Sequence, residues 1–296
     1  MDCDLMRYPD SGLYHYCLNL GRYMHHLLQQ EGWGRMGFYT PNRAAAGAFQ
    51  LPGNCIPERK WHRKLFRPFL WDCDIWHAPF QSGRIIPEKN KRVKVVLTIH
   101  DLNFLHEGKP VKEQQRSLQK TRRLVHRADA LVCISQHCKE DVLANIDVEG
   151  KPVYVIHNGT HYVAPPPPVP ERYHPQRPFI YTMGYVNRKK NMHTLVPLLQ
   201  KNDYELVIAG KLDEPDYVQK IKKQALEWGV SERVHILGPV SENDKAWYLK
   251  HCTAFALVSL AEGFGAPVVE AMQFGKPLFL SALTSLPEIG GDAAFY

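Results

Sequence analysis

The sequence predicts an α/β protein built from two Rossmann-like domains, each a parallel sheet flanked by helices. Three observations carry this. Short β-branched runs alternate with stretches of helical periodicity along most of the chain. The alternation is interrupted by a proline-rich stretch that contains four consecutive prolines, Pro165 to Pro168. The chain has 296 residues, which suffices for two domains of ordinary size.

The elements follow in order. The opening residues, MDCDLM, read as a first strand. Residues 13–32 place Leu13, Cys17, Leu20, Met24, Leu27 and Leu28 on one face at helical spacing. RVKVVLTIH (92–100), DALVCIS (129–135) and VYVIHNG (153–159) read as buried strands, with a helix over QHCKEDVLANI after the second. Residues 164–178 form a stiff extended linker, because consecutive prolines continue neither a helix nor an inner strand. Behind it, 179–184, 204–210, 233–238 and 254–259 read as strands, separated by helices over 191–201, 215–228 and 242–250. The expected domains are therefore 1–163 and 179–296. In such sheets a ligand sits at the carboxyl ends of the strands, here in a cleft between the domains.

Composition narrows the class. With 44% hydrophobic and 23% charged residues, the chain has ample material for packed cores and is not a disordered tail. Seven scattered cysteines point to reduced thiols and a cytoplasmic location. No run of 18 apolar residues or secretory leader is legible, so neither a membrane span nor secretion is expected. The net charge of +7 lies in the first half. Residues 1–165 hold 23 Lys and Arg against 16 Asp and Glu, whereas residues 166–296 hold 14 of each. The surplus sits in 58–67, 89–94 and 116–127. It reads either as a solvated basic face or as attraction to something anionic, such as a phosphate-bearing acceptor or a membrane surface. No helix-turn-helix, zinc-finger or aromatic RNA-binding signature supports nucleic acid.

The stretch AEGFGAPVVEAMQFGKP (261–277) looks like a site. The strand before it ends in a glycine loop that leads to a helix. Pro267 suits the first helical position, while Gly275 and Pro277 suit its end. Free amides at such a helix start favour an anion such as a diphosphate. Glu270, in the first turn, can accept hydrogen bonds from a vicinal diol such as ribose. Glu262, in the loop, can hold the hydroxyls of a sugar. Capping alone would explain one glutamate, but not two around Gly263 and Gly265.

The block SLAEGFGAPVVEAMQFGKPLFLSALTSLPEIGGDAAFY (259–296) resembles the nucleotide-binding signature of retaining GT-B glycosyltransferases, family 4. Glu262, Glu270, Ala271, Met272, Gly275, Pro277, Pro287, Glu288 and Gly291 match its pattern. MGYVNRKKN (183–191) is similar to the family's basic cluster, VVLTIHDLNFL to its strand ending in His-Asp, CISQHCKEDV to its serine-led helix start, VIHNGTH to its asparagine-glycine turn and YPDSGLYHYCLNLG to its glycine loop. The resemblance implies the GT-B fold and a retaining, metal-independent hexosyltransferase of polysaccharide or glycoconjugate biosynthesis. Its donor would be a nucleotide diphosphate sugar of the GDP-mannose or UDP-glucose type, its acceptor a carbohydrate or a lipid-linked glycan, and it would need no further cofactor.

The resemblance also assigns roles. His100, Glu262 and Lys190 are the catalytic candidates. Arg188, Lys189 and Lys190, with Gly12 and the amides of Phe264, Gly265, Ala266 and Val268, would bind the diphosphate. Glu270 would hold the ribose, and Gly238, Pro239 and Val240 would line the base pocket. Because the match stops before the family's usual closing segment, the chain is expected to be an incomplete version of a longer enzyme. The expected location is cytoplasmic, with peripheral contact at an anionic membrane face through the basic half.

Other readings stand beside this one. Asp2-Cys3-Asp4 and Asp72-Cys73-Asp74 spell a metal-binding D-x-D found in a different glycosyltransferase fold, but no metal is expected here. A non-catalytic module that senses a nucleotide or docks to an anionic surface is the alternative function. An NAD-dependent enzyme fits the alternation but lacks a G-x-G-x-x-G turn after a first strand.

Overall fold

The computed structural model of the chain describes residues 1–9, 11–51, 53–59, 73–81, 86–88, 90–160 and 168–296. Most of the basic stretch 58–67, Asp72, and the linker residues up to Pro167 lie outside them. The chain divides into two compact units. The first comprises Met1–Asp101, Pro110–Ile134 and Cys138–Ile156; the second comprises Leu102–Lys109, Ser135–His137 and His157–Tyr296.

The first unit holds two parallel sheets. β1 (Phe38–Thr40) pairs with β2 (Cys55–Pro57). β3 (Ile75–Ala78), β4 (Lys94–Ile99), β5 (Ala130–Cys133) and β6 (Val153–Val155) pair in that order. β4 lies between β3 and β5, with Val95, Leu97 and Ile99 fully buried, as its mostly apolar sequence requires. The expected first strand is reduced to a single bridge between Asp2 and Tyr39, followed by a 3-10 turn over Asp4–Arg7. The Asp2 carboxylate accepts the Asp4 N–H at 3.0 Å, which turns the backbone away from strand pairing.

α1 (Gly12–Glu31) is a 20-residue helix capped by Ser11, whose hydroxyl accepts the Tyr14 N–H. Of the face the spacing predicts, Cys17 is buried and Met24 and Leu28 pack partly buried against the same cluster, but Leu27 is 48% exposed and the fully enclosed line runs Cys17, Gly21 and His25. Gly21 explains the shift. A Cβ there would lie 2.7 Å from both Phe38 and Phe49, so the helix packs through its glycine onto that stacked ring pair. α2 (Arg43–Phe49), α3 (Val111–Arg127) and α4 (Gln136–Asn145), of seven, seventeen and ten residues, are further helices described in this part of the chain.

The second unit holds a six-stranded, all-parallel sheet. Its strands are β7 (Phe179–Met183), β8 (Glu205–Ala209), β9 (Val234–Gly238), β10 (Ala254–Leu257), β11 (Leu278–Leu280) and β12 (Ala294–Phe295). Their spatial order is β12-β11-β10-β7-β8-β9. Alternate residues feed two apolar layers. Tyr181, Val207, Phe255 and Leu257 pack with α6 (Glu242–His251) and α7 (Ala266–Gln273). Leu206, Ile208 and Ala256 pack with α5 (Pro215–Glu227) and the turn of helix at Met192–Leu199. That last segment is a 3-10 helix, where periodicity predicts an α-helix. Pro197 sits inside it and has no N–H to give to an α-helical ladder.

The strand order fixes where a site can form. The chain builds β7, β8 and β9 outward on one side, then returns to place β10 on the other side of β7. The carboxyl ends of β7 and β10 are therefore the topological switch point, where doubly wound sheets bind their ligands.

Candidate active site at the switch of the second sheet

Two loops leave this switch point. Gly184 follows β7 directly, and the loop after it makes a 3-10 turn over Arg188–Lys190. Asn187 caps the turn, its side chain accepting the Lys190 N–H, and Asn191 closes it in the left-handed region at φ 54°. β10 is followed by the loop 258–265. The Leu260 N–H donates to the Lys189 carbonyl at 2.8 Å, which ties the two loops together.

Lys190 and Glu262 meet here. They are 72 residues apart in sequence, and Lys190 Nζ lies 2.5 Å from Glu262 Oε1. Both side chains are mostly buried, at 12% exposure each. Gly184 makes the approach feasible, since a Cβ there would stand 3.0 Å from Lys190 Cε. Burial raises the Glu262 pKa and the Lys190 ammonium lowers it; the ammonium prevails and holds the carboxyl below the ordinary glutamate value. The result is a carboxylate and an ammonium in a fixed mutual geometry.

The other predicted residues are distributed around this pair. Arg188 is well exposed and lies 3.5 Å from Glu214. Lys189 pairs at 3.4 Å with Glu107, which Lys109 also contacts. Gly265, at φ 96°, is the N-cap of α7, and a Cβ on it would strike Leu286 at 2.8 Å. Phe264 is buried. The helix begins at Ala266, one residue before Pro267, so Glu270 is its fifth residue and lies past the first turn in which the sequence placed it. The Val268 N–H is already committed to the Gly265 carbonyl at 2.8 Å, and Pro267 has none, so of the expected donors only the amides of Phe264, Gly265 and Ala266 could meet an anion. At the far end, Gly275 takes the left-handed conformation expected of a helix stop.

Glu270 is held by a residue that the sequence reading missed. Lys245 Nζ lies 3.1 and 3.2 Å from its two oxygens and 2.8 Å from Glu242. Burial lowers the Lys245 pKa, the two carboxylates raise it, and the net shift is upward. At the end of β9, Arg172 donates from Nη1 to the carbonyls of Leu237 and Pro239, so it clasps the loop that carries Gly238, Pro239 and Val240. Glu288 accepts the N–H groups of Gln136 and His137 at 2.7 and 3.0 Å and pairs with His157. The Ser135 hydroxyl donates to the Gly263 carbonyl at 2.8 Å. Ser135 belongs to the serine-led helix start that the sequence marks, whereas Lys245 carries no local pattern that would have marked it.

His100 and Gly12 belong to the first unit. His100, at the end of β4, is buried, and its Nε2 donates to the Pro79 carbonyl at 2.8 Å. Its ring meets Tyr16 edge-on at 4.7 Å, and its backbone N–H donates to Gln81. Burial pushes its pKa down to about 4, so the imidazole is neutral at pH 7 with Nδ1 as acceptor. Gly12 opens α1 with open space on its Cβ side. Of the first D-x-D pair, Asp2 binds the Asp4 amide and Asp4 pairs with Arg7 at 2.8 Å.

With this geometry in hand, known proteins supply the context. Residues 28–163 match the family model described as Glycosyltransferase Family 4, and residues 168–294 match Glycosyl transferases group 1. The chain is 29% identical over 189 residues to the serotype-specific mannosyltransferase WbdA of Escherichia coli, covering 57% of this chain and 23% of WbdA. It is 25% identical over 238 residues to the O-antigen chain mannosyltransferase B of Escherichia coli, covering 74% of this chain and 60% of that protein. The chain thus spans less than two thirds of these relatives. Alr3699/HepE of Anabaena, solved in complex with UDP and glucose, superposes with a TM-score of 0.73 at 18% identity, over 94% of this chain and 79% of that chain. At that identity the likeness shows the fold, which is GT-B. The two halves of the chain thus match two glycosyltransferase family models, each over less than half of its length, and this likeness supports a group 1 glycosyltransferase.

Proposed function

We propose that the protein is a retaining glycosyltransferase that moves a hexose from a nucleotide diphosphate sugar to a glycan or lipid-linked acceptor. The observation that carries this reading is the Lys190–Glu262 pair at the switch point of the six-stranded sheet. Its relatives named as mannosyltransferases favour mannose as the sugar. In the reaction, the bond from the sugar's anomeric carbon to the diphosphate oxygen breaks as the bond to the acceptor oxygen forms on the same face. The acceptor proton passes to the leaving phosphate.

Lys190, with Arg188 or Lys189, offsets the charge that develops on the diphosphate, together with the amides of Phe264, Gly265 and Ala266. Glu262 holds the donor sugar through the oxygen lone pairs that Lys190 does not use. His100 is assigned the donor sugar as well, through Nδ1. Glu270 takes the ribose hydroxyls, Gly238 to Val240 line the base, and Gly12 is assigned the phosphates. Fixed cations and a helix end supply the positive charge that a metal would otherwise bring, so the reaction needs neither a metal nor a further cofactor. The chain acts in the cytoplasm, with peripheral contact at an anionic membrane face.

The test is release of nucleoside diphosphate from GDP-mannose and from UDP-glucose in the presence of EDTA, alongside calorimetric titration of GDP and UDP. Glu262→Ala is expected to lower turnover by at least about a hundredfold with an unchanged far-UV spectrum. Glu270→Ala is expected to weaken the tighter nucleotide about tenfold. Normal turnover in Glu262→Ala sinks the assignment.

A further inference from the structure

The turn between β11 and α8 (Leu286–Gly290) contains an anomaly. Thr284 adopts φ 53°, in the left-handed region that a β-branched residue avoids. Such a conformation persists only where the surroundings over-determine it, and it clusters at functional sites. What its side chain does is specific. The Thr284 hydroxyl donates to the Leu283 carbonyl at 2.9 Å and accepts the Glu262 N–H at 2.9 Å. With its proton committed to Leu283, its lone pair is left for the Glu262 amide. The next residue completes the grip. Ser285, fully buried, donates its hydroxyl to the Glu262 carbonyl at 3.0 Å. Two consecutive hydroxyls therefore hold both backbone polar groups of Glu262, the residue whose carboxylate meets Lys190.

We propose that Thr284, supported by Ser285, is a positioning residue for Glu262, and that its left-handed backbone is retained because it aims Oγ1 at the Glu262 amide. A loop residue fixed at both its N–H and its C=O has a fixed direction for its Cα–Cβ bond. Its carboxylate then leaves the loop along one line, toward Lys190. Catalysis is sensitive to such placement, because displacements of about 1 Å at reacting groups cost on the order of a hundredfold in rate. The proposal rests on the transferase reading in so far as Glu262 touches the donor sugar.

Three variants test it. Thr284→Gly relaxes the backbone and removes the hydroxyl. Thr284→Ser keeps the hydroxyl and removes the branch. Ser285→Ala removes the second grip. Each is assayed by release of nucleoside diphosphate from GDP-mannose or UDP-glucose, by thermal melting, and by hydrogen exchange at the Glu262 amide. Thr284→Gly is expected to melt within about 2 °C of the wild type, because relief of the left-handed threonine offsets the lost bonds. Its kcat is expected to fall about tenfold, with a smaller change in KM, and its Glu262 amide to exchange faster. Thr284→Ser is expected to stay within about twofold of the wild type in both activity and exchange, and Ser285→Ala to resemble Thr284→Gly in kcat. Full activity in Thr284→Gly overturns the proposal. So does a serine variant as impaired as the glycine one, or a loss of activity that merely tracks a lower melting temperature. If the wild type releases no nucleotide from either donor, the transferase reading fails; the amide exchange pattern then decides the positioning role by itself.

Discussion

His77 and His100 of the first unit are uncharged at neutral pH, and this shapes how the protein responds to acid. Burial holds His100 and His77 each at about 4, with the N-terminal ammonium adding to the shift of His77. Their unfolded values lie near 6.5. A neutral buried histidine costs nothing above its unfolded pKa. Below it, the unfolded chain binds a proton that the folded chain refuses, so stability falls from about pH 6.5 and levels off below about pH 4. The slope is about 1.4 kcal/mol per pH unit for each histidine. Glu262 and Glu288, held below the ordinary glutamate value of 4.5 by their partners, add their loss only under about pH 4.5. Denaturant midpoints measured from pH 7.5 to 4.5 are expected to decline, and His77→Asn is expected to flatten the decline; a flat wild-type profile would refute it. At this scale the sequence was half legible. Glu262 and Lys190 stood out because a glycine loop and a lysine-asparagine turn mark them locally. Thr284, Ser285 and Lys245 did not, because a hydroxyl or an ammonium acquires its role through a partner about 22 to 25 residues distant.

Strand ends show what elements demand of their sequence. Gly184 follows β7 and Gly210 follows β8, at φ 140° and 135°. A Cβ on Gly210 would lie 1.9 Å from the Gly184 carbonyl oxygen, so the two ends touch backbone to backbone. Gly210→Ala is expected to destabilise the second unit by more than about 3 kcal/mol, read as a drop in its thermal midpoint. Apolar runs made β4 and β7 to β10 legible from the sequence, whereas β11 and β12, of three and two residues, went unassigned. The short elements between residues 38 and 57 went unassigned, since β1 and β2 have three residues each and no periodicity develops over so few. The 3-10 segment at Met192–Leu199 was read as an α-helix because its apolar spacing is helical; Pro197 outweighs that spacing.

The charge asymmetry belongs to the molecule as a whole. In the first unit, α3 carries Lys112, Arg116, Lys120 and Arg123 along one exposed line, with Arg123 near Glu88. No helix among the described residues is long and apolar enough to cross a membrane. Binding to vesicles containing anionic lipid, and not to neutral ones, is the expected consequence, at about 1 kcal/mol for each basic residue at the surface. Replacing the four residues with glutamine, or raising the salt to about 0.5 M, is expected to release the protein in a sedimentation assay. Equal binding of both vesicle types would count against it. The resemblance was legible at this scale because residues 259–296 hold many motif positions in one contiguous block.

The order of the six strands is also an order in time. β7, β8 and β9 leave the ribosome in succession and can pair as they emerge. The other edge of β7 waits for β10, which begins at Ala254. Until then the nascent chain carries an open parallel edge, with Tyr181 and Val207 lacking the layer that α6 and α7 will supply. A nascent chain that has exposed Gly238 but not yet β10 therefore carries a half-sheet that a stray strand can extend, an interval in which a chaperone would guard it.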